Sequence, residues 1–380
     1  MNLIYFEENK LRPCGGPTGY LYNLREELQA MNNQEIVFLP SGSTVFDKEK
    51  AKGRIPKRLV DLRKALRFTQ MHKETESPPV DLNQYDTVHF HRTDDLYRCR
   101  KALESYRGKV ILTSHTPCVR FQELIDMLNP KDAKRFAKQL KNLEKIDEYA
   151  FQRADYVVFP CEEAEEPYYH TWQNYGKVRQ GEKYRYLPTG IKPCKAKVSA
   201  EVIRKNNGIP CDAFVVCYVG RHNEIKGYDL VKRAAEELLI QNPNVYFIIA
   251  GKEEPMRGLL HERWIEVGWT NDPHSIISAA DVFLLPNRET YFDLIMLEAL
   301  SLGQVVITSK TGGNKYFEQF HSSGIKLYNQ EYEICGLIES IMKANRDEQD
   351  RMCVENKKLF DKEFTVSTFA RRYVELLKSL

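Results

Sequence analysis

No stretch of this 380-residue chain approaches the roughly eighteen consecutive apolar residues that a membrane-spanning helix requires. Its nine cysteines are odd in number and contain no CxxC pair, which argues against a disulfide framework or a zinc site and suggests a reducing cytoplasm. Net charge is only +3, with 56 Lys and Arg against 53 Asp and Glu, too little for a dedicated nucleic-acid binder. No GxGxxG follows a strand, and no P-loop is present. The opening MNLIYFEENK is too short and acidic for a signal peptide and reads as a first strand.

What is present is an alternation. NLIYF leads through a glycine loop into the helix LYNLREELQAM, then come EIVFL, TVHFH, KVILTSH and, after a long helix expected over about 131–152, YVVFP. After the proline- and glycine-bearing segment LPTGIKPCKAK at 187–197, a second series begins: AFVVCYVG, VYFIIAG, WIEVGW, VFLLP and QVVITS, with helices between. Strands alternating with helices imply parallel sheets covered on both faces. The chain is long enough for two such domains, each with its own core. The fold class is therefore α/β: two doubly wound domains, 1–192 and 193–364, with a ligand cleft between them and a closing amphipathic helix at about 365–380. Ligands in such sheets bind beyond the carboxyl ends of the strands, so the loops there are the places to look.

Three of those loops stand out. CGGPTGY (14–20) places Gly15 and Gly16 before a helix N-terminus, where backbone can approach a ligand closely; a purely structural turn is the other reading. His89 and His91 alternate along one strand and can share a face, while His115 sits past the tip of the next strand beside Thr116 and Pro117. Strand histidines such as His89 and His91 are more often satisfied core residues, whereas the tip position marks His115 for function. Their spacing fixes no ligand set, so no metal site is assigned. In VGRHNEIKG (219–227), Arg221 and Lys226 enter a helix at its N-terminus, where the macrodipole disfavours cations. An anion bound between them removes the conflict, and an arginine fork with a lysine point charge suits a diphosphate.

Residues 51–73 hold eight Lys and Arg and one acid, with Ile55, Leu59, Leu62 and Leu66 at helical spacing. The helix either packs this stripe on its own domain or lies on an anionic membrane surface. Residues 131–145 form a second basic stretch with the same two readings.

The ordered set GGPTGYLYNL, DTVHFH, ILTSHT, YLPTGIK, CYVGRHNEIKG, FIIAG, VGWTNDP, ADVFLLP and RETYFDLIMLEALSLGQVVITSKTGG resembles the retaining glycosyltransferases of family 4, the glycosyl transferases group 1, over nearly the whole chain. That resemblance implies a GT-B fold: an N-terminal Rossmann-like acceptor-binding domain and a C-terminal one for a nucleotide sugar. It implies Arg221 and Lys226 at the donor diphosphate, Gly16 (beside Gly15) near phosphate or acceptor, His115 against the donor sugar and Glu298 on the ribose hydroxyls. Backbone N–H groups at Asp293 and Leu294 would face phosphate. It further implies no metal and no cofactor, a UDP-sugar donor by default, a glycan or lipid-linked acceptor in bacterial surface polysaccharide synthesis, and a cytoplasmic protein peripheral to the inner face of the plasma membrane.

Two positions depart from the family pattern. Counting back eight residues from Glu298 reaches Thr290 rather than a second glutamate, and Glu289 lies one residue earlier. Asp293 replaces a glycine, and its side chain is expected to cap the following helix. Either Glu289 or Thr290 then meets the donor sugar. Another GT-B enzyme, such as a nucleotide-sugar epimerase or a phosphorylase, and a non-catalytic donor-binding subunit are the alternatives.

Overall fold

The computed structural model describes residues 1–7, 11–13, 16–39 and 56–380. They fall into two compact units. The first comprises residues 1–161, 165–188 and 370–380; the second comprises 162–164 and 189–369. No helix among the described residues is long and apolar enough to cross a membrane.

The first unit holds a six-stranded all-parallel sheet in the order β2-β1-β3-β4-β5-β6. Its strands are β1 (Asn2–Tyr5), β2 (Ile36–Phe38), β3 (Thr87–Phe90), β4 (Lys109–Leu112), β5 (Tyr156–Phe159) and β6 (Tyr184–Tyr186). Strands β1, β3 and β4 are buried along nearly their whole length, as a sheet covered on both faces demands. The order reverses between β1 and β3, so the loops after those two strands open at a switch point.

The second unit repeats the plan in the order β12-β11-β10-β7-β8-β9. Here the strands are β7 (Phe214–Val219), β8 (Val245–Ala250), β9 (Trp264–Gly268), β10 (Val282–Leu285), β11 (Val306–Ser309) and β12 (Ile325–Tyr328). The reversal lies between β7 and β10. Helix Tyr228–Gln241 packs Leu230, Val231, Ala234, Ala235 and Leu238 into the core shared with β7 and β8.

Two local expectations change. The long helix over 131–152 is instead a string of short pieces, Pro130–Arg135, Ala137–Leu140, a 3-10 turn at Lys141–Leu143 and Glu144–Arg153. Phe136 leaves the helical region with φ −103 and ψ 13, and Leu140, Leu143 and Ile146 bury against helix Lys57–Gln70. Tertiary packing overrides the local period. Helix Lys57–Gln70 itself turns a different face inward. Ala65 and Phe68 are buried, as is Met71 in the turn that follows, while Leu59 (56% exposed) and Leu66 (47%) from the expected stripe face outward. Residues 51–55 of that basic stretch lie outside the described residues.

Candidate functional site

In the second unit the switch-point loops are tied together by charge. Lys226, at the end of the loop after β7, places its Nζ 2.6 Å from Asp293 Oδ2 in the loop after β10. Asn287, buried, donates its Nδ2 to the same carboxylate oxygen at 2.6 Å. The anion that relieves a lysine at a helix N-terminus is thus supplied by the chain itself. Asp293 occupies the N-cap position of helix Leu294–Ser301, but its side chain makes no capping bond. This corrects the expected cap: a nearby ammonium outcompetes backbone N–H groups for the carboxylate.

Arg221 is exposed, and its backbone is fixed by the Tyr218 hydroxyl, which donates to the Arg221 carbonyl at 2.7 Å. Between the two cations, His222 is buried with its ring stacked on Tyr228, centroids 4.0 Å apart and planes 5° from parallel. Gly227 then adopts φ +65, and a Cβ there would lie 1.9 Å from the Pro286 carbonyl oxygen. Arg288 closes the arrangement with a fork on Asp229, its Nη2 2.6 Å from Oδ2, and its backbone N–H donates to the Ile225 carbonyl at 2.9 Å. That fork holds the Asp229 carboxyl below the usual carboxylate range.

Glu298 is half-buried on helix Leu294–Ser301, with Oε2 3.2 Å from His274 Nε2. His274 belongs to helix Pro273–Ser278, capped by Asp272. Hydrogen bonds to Cys194 and then to Glu298 push the His274 pKa up to about 10. An imidazolium therefore faces Glu298 at neutral pH and orients its side chain. His274 and Asn287 were missed by sequence reasoning. DPHS and LPNRE carry no motif that marks them; His274 acts through Glu298, 24 residues on and in another helix, and Asn287 through Asp293 in its own loop.

Thr290 is buried, and its carbonyl oxygen packs against Gly312, where a Cβ would approach within 2.0 Å. Glu289 beside it is half-buried.

In the first unit, Gly16 begins helix Gly16–Ala30 with φ +74 and open space around it, so glycine is required there by conformation rather than by crowding. Gly15 lies outside the described residues. His89, His91 and His115 come together as a stack. The rings of His89 and His91 lie 4.2 Å apart, and those of His91 and His115 lie 5.1 Å apart. Tyr20 meets the His115 ring edge-on at 4.7 Å. His115 and His91 line a cavity of about 190 Å³ with Arg92, Thr93, Ser114 and Thr116. Burial holds all three histidines neutral: His89 and His115 are pushed down to about 3, and His91 lies well below its ordinary value.

His89 gives a pH prediction. Its folded pKa lies below that of a free imidazole, so its stabilisation is present above about pH 6.5 and is lost as pH falls toward 3. Asp147, pushed up to about 7 by burial, acts oppositely over the same window. Comparing wild type with His89→Gln removes that background. Urea unfolding between about pH 6 and 4 is expected to show a slope smaller by about one proton in the variant, about 1.4 kcal/mol per pH unit. Equal slopes would place a charged or solvated His89 in the folded state.

Two parallel Rossmann-like units, each with its chemistry-bearing loops at the switch point, define the GT-B class of nucleotide-sugar enzymes. The Glycosyltransferase Family 4 model matches residues 14–193 and the Glycosyl transferases group 1 model matches 199–360. The chain belongs to the group 1 glycosyltransferases. Among relatives, it is 34% identical over 114 residues to the O-antigen biosynthesis glycosyltransferase WclY of Escherichia coli, covering 28% of this chain and 31% of that one. It is 32% identical over 146 residues to the E. coli UDP-Gal:alpha-D-GlcNAc-diphosphoundecaprenol alpha-1,3-galactosyltransferase, covering 35% and 38%. The chain therefore spans about a third of the length of these curated relatives. Among solved structures, Anabaena HepE in complex with UDP and glucose aligns with a TM-score of 0.60 at 16% identity, over 100% of this chain and 99% of that one. A Rickettsia africae glycosyltransferase aligns with a TM-score of 0.63 at 12% identity, over 100% and 97%.

Proposed function

We propose that this protein transfers a hexosyl residue from a nucleotide-diphosphate sugar, with retention of configuration and without a metal, to a glycan or lipid-linked acceptor in bacterial surface polysaccharide synthesis. The observation that carries the reading is the Lys226–Asp293 pair spanning the β7/β10 switch point, with Arg221 exposed on the same loop. Two cations at a helix N-terminus suit the developing charge of a departing diphosphate. On this reading that leaving group takes the acceptor's proton, and no protein nucleophile is required. Glu298, held by His274, accepts hydrogen bonds from the ribose hydroxyls, His115 meets the donor sugar, and Gly16 with Gly15 lets backbone approach. Backbone N–H groups at Asp293 and Leu294 face phosphate, and Glu289 rather than Thr290 reaches the sugar. UDP is the proposed nucleotide. The HepE structures contain UDP and UDP-glucose, and the galactosyltransferase relative uses UDP-Gal by name.

The test is donor-dependent transfer or slow donor hydrolysis by purified protein. Replacing Glu298 by Ala is expected to raise the donor KM about tenfold, the effect of losing one or two charge-assisted hydrogen bonds. Wild type that binds donor but neither transfers nor hydrolyses it would leave a binding subunit instead, and an altered nucleotide sugar without glycoside would indicate an epimerase.

A lipid-linked acceptor would be met at the cytoplasmic membrane face. Supporting this, helix Lys57–Gln70 exposes Leu59, Val60 and Leu66 among Lys57, Arg58, Arg63 and Arg67. Flotation with liposomes containing anionic lipid is expected to carry the protein upward and to fail with neutral lipid or at about 0.5 M salt, where screening is short-ranged. Equal behaviour on both lipids would remove the surface role.

A further inference from the structure

We infer that His91 holds His115 in the tautomer protonated on Nδ1, so that His115 offers the cavity of the first unit a hydrogen-bond donor. The inference rests on the reading of His115 as a sugar contact, and it assigns His91 as a positioning residue for it.

His91 Nδ1 and His115 Nε2 lie 2.8 Å apart, so one hydrogen sits between them and the tautomer of either ring dictates that of the other. What faces the remaining nitrogen of His91 decides which. His91 is fully buried, and its Nε2 has no hydrogen-bond partner among the described residues. An orphaned buried N–H is rarer than an unsatisfied acceptor. The cheaper arrangement leaves Nε2 as a bare lone pair and puts the proton of His91 on Nδ1. His91 then donates to His115 Nε2, and the proton of neutral His115 must sit on Nδ1. The low pKa of both rings agrees with two neutral imidazoles.

The support beneath His91 leaves it no other choice of partner. His89 uses Nδ1 on the Tyr373 hydroxyl and Nε2 on the Thr113 hydroxyl, each at 2.8 Å. It therefore offers His91 only a ring face, stacked at 4.2 Å. The Nδ1 of His115 makes no hydrogen bond among the described residues, and its ring lines the cavity of about 190 Å³. An N–H presented there matches an oxygen lone pair on a sugar hydroxyl or ring oxygen. The opposite tautomer would present a lone pair and would demand a hydroxyl donor.

The test reads the tautomer directly. Long-range proton–nitrogen correlation spectra of the full chain with 15N-labelled histidine are expected to show His115 protonated on Nδ1, its signals identified by their loss in His115→Gln. In His91→Phe the tautomer should shift toward Nε2–H, and kcat for sugar transfer should fall about tenfold with donor KM little changed. His91→Asn keeps an amide N–H near the place of Nδ1 and is expected to restore both the tautomer and most of kcat. A wild-type His115 protonated on Nε2, or a tautomer unchanged in folded His91→Phe, would overturn the inference. Should the phenylalanine variant not fold, the wild-type tautomer decides. An Nδ1–H tautomer in a protein without any transfer activity would leave this inference standing while removing the functional reading.

Discussion

Lys226→Ala is expected to lower kcat/KM for sugar transfer by about 10² to 10³, the loss typical of removing one preorganised group that stabilises transition-state charge. The size of the effect has a second source in this chain. Lys226 Nζ sits 2.6 Å from Asp293, so the alanine variant leaves a carboxylate facing the position proposed for a diphosphate, with only Asn287 to hold it. Like charges at that range disfavour donor binding as well as bond cleavage. Adding Asp293→Asn to Lys226→Ala is therefore expected to recover about tenfold, because residues that share an interaction are not additive. A double variant as impaired as the product of the two single losses would show that Asp293 and Lys226 act independently. Steady-state kinetics on the four proteins of this cycle supply the measurement.

Gly227→Ala is expected to cost about 3 kcal/mol of stability and to weaken donor binding together with it. Gly227 has φ +65, and an added Cβ would fall 1.9 Å from the Pro286 carbonyl oxygen. Backbone must move on one side or the other, and both sides belong to loops that carry Lys226 and Asp293. Gly208 provides the control, having φ +67 with nothing within 4 Å of its would-be Cβ. Gly208→Ala should lose only the conformational part, about 1 kcal/mol. Urea denaturation of both variants gives the comparison. Similar losses would mean that the approach to Pro286 relaxes without consequence.

Much of the architecture was legible because buried parallel strands advertise themselves. Ten of the twelve strands are runs such as TVHF and VFLL that stand between helical patterns. The two that escaped, β6 reading YRY and β12 reading IKLY, are two of the four edge strands, and each carries a charge at a partly exposed position. The other two edges, β2 reading IVF and β9 reading WIEVG, keep enough apolar residues to stand out. The helix at 57–70 was legible as a helix but not in its orientation, because leucines and basic residues recur on more than one face. The site divides similarly. Arg221 and Lys226 were conspicuous because cations at a helix start need an explanation. Their neighbour Asp293 was conspicuous too, yet its partner lies 67 residues away and no local pattern reports it. Separation in sequence likewise hid the contact of His274 with Glu298, 24 residues apart. What the sequence shows is each element's own preference; which side chain wins a contested carboxylate is settled only by the packed neighbours.

The return of the chain to its first unit bears on how such proteins could recombine. Helix Val366–Ser379 begins against the second unit, where Thr365 bridges Ile191, and from Ala370 onward it belongs to the first, where buried Tyr373 bonds His89. A chimera that swapped residues 1–188 for those of a relative, keeping everything after, would mate a foreign sheet with this tail and part the Tyr373 hydroxyl from the His89 ring it bonds. Exchange of the first unit between family members would then require two crossovers, one on each side of the second unit, with the last eleven residues travelling with the first 188.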